Sequence, residues 1–486
     1  MSYKMPVREF IGKIRSGEID AEKFYAEFFR ELAELNRKYN FLITTAISKP
    51  GKLKDVKNKK MPYLPVSAKD CICTKGMQSA AGSKILEGYV PLFDATCIEK
   101  VKNEGGTIIG KTNQDEFGFG TFSTNSGFGA PKNPTDPERS CGGSSGGAAG
   151  LAKALEYPHI AIAESTGGSI SCPASFCGVA GFTPTYGMVS RHGLIDYSNS
   201  LDKIGVIAKE VWDIALMLSV IAGHDSRDST SANRAGHCPA KKHQPHGSRE
   251  QYAKPANYTD FLNPAGKIKI GIPKEYFENT DKKVSDAVWN AIKKLEGSGA
   301  SYETISLKST EYALACYYII ACSEASTNLA KFCGMRYGAE SEIDGSFDEY
   351  FSVVRTKYFG QEAKRRILLG TFSRMAGYRD QYYLKALKVR ALVIEDFRRA
   401  FKKFDVLIAP TMPMVAPRFK DIEKLSPLEQ YAMDVLTVGP NIAGIPHLSV
   451  PCGTANSMPV GLHIMGSHFN EGKVLQAGQA VENLTM

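Results

Sequence analysis

The stretch CGGSSGGAAG, residues 141–150, places five glycines and two adjacent serines in ten positions. Glycine lacks Cβ and reaches positive φ freely, so such a run marks backbone that passes where side chains would be in the way. A phosphate is the first candidate for what comes so close. A P-loop has the form G-x-x-x-x-G-K-[ST], with a lysine for the β- and γ-phosphates and a hydroxyl for magnesium. Here the glycines run into Ala148 and Ala149 and the next lysine is Lys153, so the nucleotide reading loses its essential groups. The nucleophile elbow G-x-S-x-G fits twice, centred on Ser144 and on Ser145. An elbow ends a buried strand, whereas APKNPTDPERS (130–140) reads as a proline-broken polar loop.

The chain has 486 residues, 43% hydrophobic and 23% charged, the balance of a globular protein long enough to bury a large core. Its net charge of +9 is spread along the sequence. The one basic cluster, KPGKLKDVKNKK (49–60), reads as a solvated loop before it reads as a nucleic-acid site. Eleven scattered cysteines with no secretory segment ahead of them point to a reduced, cytoplasmic protein. No apolar run reaches the length of a membrane span. His237, Cys238, His243 and His246 lie within ten residues, but a single cysteine at irregular spacing fits no standard zinc pattern. The flanking prolines and glycines favour a hydrophilic surface insertion, and no metal is assigned.

Apolar positions at Phe24, Phe28, Leu32 and Leu35 recur at helical steps, with Asp20 as N-cap, and predict helices over 6–38. Further on, short β-branched runs at 106–110, 159–165 and 204–208 alternate with helical stretches at 91–104 and 211–223. That alternation predicts an α/β fold with a mixed or largely parallel sheet. A strand at 267–276, a helix at 284–297, long helices over 311–337 and 377–404, and strands at 404–411 and 447–453 follow. The reading is a helical region at 1–45 and one large α/β unit at 46–486. That unit carries a polar surface insertion at about 230–266 and a helical insertion at about 311–400.

A second glycine–serine element, ESTGGSISCPASFCG (164–178), follows the strand-like run HIAIA. Two glycines ahead of Ser169 leave backbone N–H groups free to converge on one point, as an oxyanion hole requires. Ser169 then stands as the nucleophile, and a serine needs a base. No histidine sits in a commending context: His159 and His192 are nearest in sequence, and each reads equally as structural. A lysine serves where burial favours its neutral form. Lys69, which closes the apolar run in PVSAKDCICTKG, is the best candidate, although a lysine beside an aspartate is ordinarily a surface residue.

With SAKD, GKTNQDEFGFG, CGGSSGGAAG, TGGSISCPASFCGVAGFTPTYGMVSRHGLI and LSVPCG…MPVGLHIMG, the chain resembles the amidase signature family from about residue 60 to its end. The resemblance implies a central mixed β-sheet flanked by helices on both faces. It also implies a Ser-cisSer-Lys triad of Ser169, Ser144 and Lys69, with Ser144 preceded by a cis peptide. The oxyanion hole would be formed by N–H groups of Thr166, Gly167, Gly168 and Ser169. YYIIACSEASTNLAKFCGMRYG (317–338), GQEAKRRILLGTFSRMAGYRDQYYLKALKVR (360–390) and YAMDVLTVGPNIAGIPHLSVPCG (431–453) are similar to the branch that serves tRNA-dependent amidotransferases. That likeness implies free glutamine as substrate, with Asp434 on the α-ammonium, Arg366 on the α-carboxylate and Tyr317 lining the pocket. It further implies a B subunit, which uses ATP and magnesium and holds the aminoacyl-tRNA, and a small C subunit. No cofactor is implied in this chain. A stand-alone amidase and a catalytically impaired scaffold stay open as alternatives.

The sequence departs from the family in four respects. Ser165 and Ser171 stand where most members carry an aspartate and an arginine, which reads as joint removal of a charge pair. One residue is added between Ser144 and Ser169. Cys71 replaces the commoner asparagine, and Cys333 the usual aspartate.

Overall fold

The computed structural model describes residues 3–46, 51, 53–232, 256–262 and 267–485. The Cys/His cluster at 237–246 lies outside them, as does most of the insertion read at 230–266.

Eleven strands form one sheet among the described residues. They are β1 (Leu42–Thr45), β2 (Pro65–Lys69), β3 (Thr107–Thr112), β4 (Ile160–Ser165), β5 (Ala180–Thr183), β6 (Lys203–Ala208), β7 (Lys269–Pro273), β8 (Ser301–Ile305), β9 (Val406–Pro410), β10 (His447–Ala455) and β11 (Met458–Gly466). Their order is β1-β3-β2-β4-β6-β5-β10-β11-β9-β7-β8. The strand β4 is buried at all six positions, as are β6 along its length and β9. Such strands have both faces covered, which is why they read as unbroken apolar runs and not as alternating ones.

The sheet is mixed. Parallel pairs β3–β2–β4 and β9–β7–β8 lie towards its two ends, and the middle, from β4 through β6, β5, β10 and β11 to β9, is antiparallel. Of the two arrangements expected, mixed or largely parallel, the sheet takes the mixed one, with an antiparallel centre. The reason is local: β10 and β11 are joined by Asn456 and Ser457, both at positive φ (49° and 62°), a two-residue hairpin turn. Without glycine at either position, that turn carries no strong sequence signal.

The N-terminal helices span Val7–Ser16 and Ala21–Tyr39, and the Asp20 side chain accepts from the Glu22 and Lys23 N–H groups as predicted. Phe24 and Phe28 both pack on Tyr157 just ahead of β4, so this region shares the hydrophobic core of the sheet. No helix among the described residues is long and apolar enough to cross a membrane. None of their His, Cys, Asp and Glu side chains form a group of three able to hold a metal ion.

Candidate active site

Because β2 and β4 are parallel neighbours, their carboxyl ends open on the same side of the sheet, the usual place for a site in an α/β fold. Lys69 is the last residue of β2, and the Thr166–Ser169 turn follows β4 directly. Ser144 arrives from the glycine run, just ahead of the helix Gly146–Ala154, through a cis peptide with Gly143. The Ser145 N–H donates to the Ser169 backbone oxygen at 3.2 Å, so the three predicted residues belong to one neighbourhood.

Lys69 is fully buried. Its Nζ lies 2.7 Å from Ser144 Oγ, and it donates to the Glu164 backbone oxygen at 3.0 Å and to Glu164 Oε2 at 2.8 Å. Together with its bond to Cε, these three contacts fill the tetrahedral surroundings of the nitrogen. The Ser169 hydroxyl has no hydrogen-bond partner among the described residues. The N–H groups of Gly167, Gly168 and Ser169 likewise donate to no acceptor among them. The turn is held from behind: Asn441 Nδ2 donates to the Gly167 oxygen at 2.6 Å and the Cys172 N–H to the Gly168 oxygen at 2.8 Å.

The glycines are explained by protein contacts. A Cβ on Gly143 would strike the Asp115 carboxylate, whose oxygens accept from the Ser123 and Asn125 N–H groups at 3.0 and 2.8 Å. Burial pushes that carboxyl up to about 7 against those two hydrogen bonds. A Cβ on Gly167 would stand 2.5–2.9 Å from atoms of the Tyr317 ring. The backbone therefore passes close to its own fold, with no phosphate involved.

The three residues read as substrate contacts are joined in one cluster through Tyr318. Tyr317 covers Gly167, and its ring meets Tyr318 edge-on. Tyr318 donates its hydroxyl to Asp434 Oδ2 at 2.6 Å, while Thr121 donates to Oδ1 at 3.0 Å. Burial raises the Asp434 carboxyl above its ordinary range, and these two donors oppose it. Arg366 is buried, with Nε on Glu362 at 2.7 Å and Nη1 on the Tyr197 hydroxyl at 2.6 Å. Its guanidinium also lies 5.1–5.8 Å from the ring centroids of Phe119, Tyr197, Tyr318 and Tyr431, a desolvated cation held by aromatic faces. Tyr197 links this cluster to the serines: at Gly118 its ring, Glu164 Oε2 and Ser144 Oγ all stand 3.5–3.6 Å from where a Cβ would be.

The Amidase family model matches residues 25–475. The chain belongs to the amidase family. It is 45% identical over 484 residues, 99% of this chain and 97% of the relative, to the A subunit of the glutamyl-tRNA(Gln) amidotransferase of Halothermothrix orenii. It is 49% identical over 424 residues, 87% of this chain and 84% of the relative, to the protein of the same name from Methanococcoides burtonii. The crystal structure of the corresponding glutamyl-tRNA(Gln) amidotransferase protein from Thermotoga maritima matches with a TM-score of 0.79 at 32% identity, covering 99% of this chain and 95% of that one.

In this amidase the two departures around Ser169 are absorbed by neutral groups. Ser171 Oγ lies 3.2 Å from His447 Nδ1, which meets His463 Nε2 at 2.9 Å, and Ser165 Oγ lies 3.5 Å from Asn441 Oδ1. Burial holds His447 well below its usual range and His463 at about 3, so both rings are uncharged. Neither histidine weighed as a base reaches the serines. His159 is buried on Ser67 Oγ at 2.9 Å, and His192 packs against Phe93.

Sequence reasoning missed Glu164, Tyr318 and Tyr197. Glu164 opens the quoted ESTGGS motif, but nothing in a sequence tells which face of β4 its carboxylate takes. Tyr318 and Tyr197 look like two of 22 tyrosines until the fold sets them beside Asp434 and Arg366.

Proposed function

We propose that this chain is the glutamine-hydrolysing component of a tRNA-dependent amidotransferase. The observation that carries the reading is the buried Lys69–Ser144 contact, set beside a Ser169 whose neighbouring N–H groups are unengaged. Arg366 and Asp434, opposite charges that both meet Tyr318, supply what a free amino acid's carboxylate and ammonium need.

In this reading Ser169 Oγ bonds to the side-chain amide carbon of glutamine. Its proton passes to Ser144 Oγ, and the Ser144 proton passes to Lys69 Nζ. Hydrogen bonds of such relays are long without substrate and tighten when it binds. The developing oxyanion is met by N–H groups of Thr166, Gly167, Gly168 and Ser169. The carbon–nitrogen bond then breaks as Lys69 returns a proton through Ser144 to the departing nitrogen. Water hydrolyses the γ-glutamyl ester by the same relay run in reverse. Ammonia passes to a B subunit, which binds the misacylated tRNA and activates it with ATP and magnesium, and a small C subunit clasps the pair. This amidase itself needs neither metal nor nucleotide, and works in the cytoplasm.

The test is ammonia release from glutamine by the chain purified with B and C subunits, compared with Ser169→Ala. Release that needs Ser169 and prefers glutamine is the expected result. Equal turnover of unrelated small amides without any partner would favour a stand-alone amidase. A correctly assembled complex without turnover would favour a scaffold.

A further inference from the structure

The relay does not end at Lys69. The Glu164 carboxylate is itself buried and accepts from Lys69 Nζ at 2.8 Å through Oε2. Its other oxygen, Oε1, lies 2.8 Å from Thr166 Oγ1, and Thr166 Oγ1 lies 2.9 Å from Asp202 Oδ1. A hydroxyl has one proton, so it cannot donate to two carboxylates. One of the two must be a carboxylic acid that donates to Thr166. The second Asp202 oxygen accepts from the Tyr197 and Ser198 N–H groups, at 2.9 Å each. Glu164 has the Lys69 nitrogen on its other oxygen and Asp202 has no such cation among the described residues, so the proton belongs on Asp202, in line with burial and the charge of Glu164 pushing the Asp202 carboxyl well above its ordinary range. Thr166 then donates to Glu164 and fixes it as the anion facing Lys69.

We propose that Glu164 is a positioning residue of the relay, the buried counter-charge that orients Lys69 and stabilises the ammonium formed when Lys69 takes the Ser144 proton. The inference rests on the reading of Lys69 as the base. The arrangement does for a lysine what a buried aspartate does for the histidine of a Ser-His-Asp triad. The balance is simple: the Ser144 O–H bond breaks, an N–H bond forms on Nζ, and the new positive charge faces Oε2 while the oxyanion carries the negative one. The other titratable groups around Glu164 are Asp202 and Lys203 at the start of β6, and Cys71 just beyond β2.

The test is the rate at which a fluorophosphonate probe labels Ser169 in the full-length chain, followed from about pH 5 to pH 10. It is run on the wild type, Glu164→Gln, Glu164→Asp and Lys203→Met. A buried amine stripped of its counter-charge gives up its proton more readily. Glu164→Gln is therefore expected to move the acid limb of the profile to lower pH by about one unit or more. The same variant lowers the plateau rate by about tenfold or more, because the ammonium formed in the reaction lacks its partner. Glu164→Asp restores the limb towards its wild-type position, and Lys203→Met leaves it in place. A plateau that falls with an unmoved limb would reduce Glu164 to packing and overturn the inference, as would a limb that follows Lys203. A plateau that rises in Glu164→Gln would also overturn it. A wild-type chain that is not labelled at Ser169 at any pH would overturn the proposed function itself, whereas the outcomes above leave that reading standing.

Discussion

The Lys203 side chain is buried at the start of β6, and its Nζ has no hydrogen-bond partner among the described residues. Burial, helped by the charge of Arg390, pulls its amine down to about 7. In the unfolded chain the same amine titrates near its ordinary value of about 10.4. A folded value below the unfolded one means that the unfolded chain binds more protons between these limits, so stability rises with pH across that window. At about 1.36 kcal/mol per unit, the amine costs the folded state on the order of 4 kcal/mol at pH 7 and nothing above about pH 10.5. Lys203→Met keeps the length and most of the volume while removing the titration. The variant should therefore be more stable than the wild type by several kcal/mol at about pH 6–7, with the gap closing as pH climbs to about 10. Denaturant unfolding of both proteins at a series of pH values measures the difference directly, since their other groups cancel. A gap that does not change with pH, or a variant less stable throughout, would refute the reasoning.

Further perturbations test the proposed substrate contacts and the turn. Asp434→Asn removes the negative charge proposed to meet the α-ammonium while leaving an amide for Tyr318 and Thr121. KM for glutamine should rise by about tenfold to a hundredfold with a smaller change in kcat, and an unchanged KM in steady-state ammonia assays would remove Asp434 from the pocket. Arg366→Lys keeps the charge but loses the planar fork that meets Glu362 and Tyr197. It should cost glutamine binding on a similar scale, whereas wild-type kinetics would contradict the assignment. Gly167→Ala drives a methyl into the Tyr317 ring, an overpacking of about 1–3 kcal/mol. A shift of this turn by an ångström should lower kcat about a hundredfold, and a fully active variant would show that the turn is not held as described.

The fold was legible wherever the signal was local. Asp20 capped the helix it was expected to cap, and β3, β4, β6, β7, β9 and β10 lie within or overlap the runs read as strands. The Met458–Gly466 strand escaped because its turn has no glycine, and the antiparallel centre of the sheet escaped with it. The site divides the same way. Ser144, Ser169 and the glycines stood in one motif-rich stretch. Apart from the family resemblance, Lys69 stands out only as the end of an apolar run, and its burial follows from the β2–β4 pairing. Glu164, Tyr318 and Tyr197 could not be read because their part depends on side-chain direction across strands and helices distant in sequence. The charge beside the lysine was equally hidden: the sequence suggested an amine in an apolar setting, and the fold sets a carboxylate 2.8 Å away.

All of the proposed chemistry passes through a covalent ester between Ser169 and glutamine, formed with the help of Ser144 and Lys69. It can be trapped by mixing the assembled complex with glutamine, quenching in acid and weighing the proteolytic peptides. A glutamyl adduct is expected on the peptide carrying Ser169, and it should be lost in Lys69→Met and in Ser169→Ala. Steady ammonia release with no adduct on Ser169, or an adduct that persists undiminished without the lysine, would contradict the mechanism.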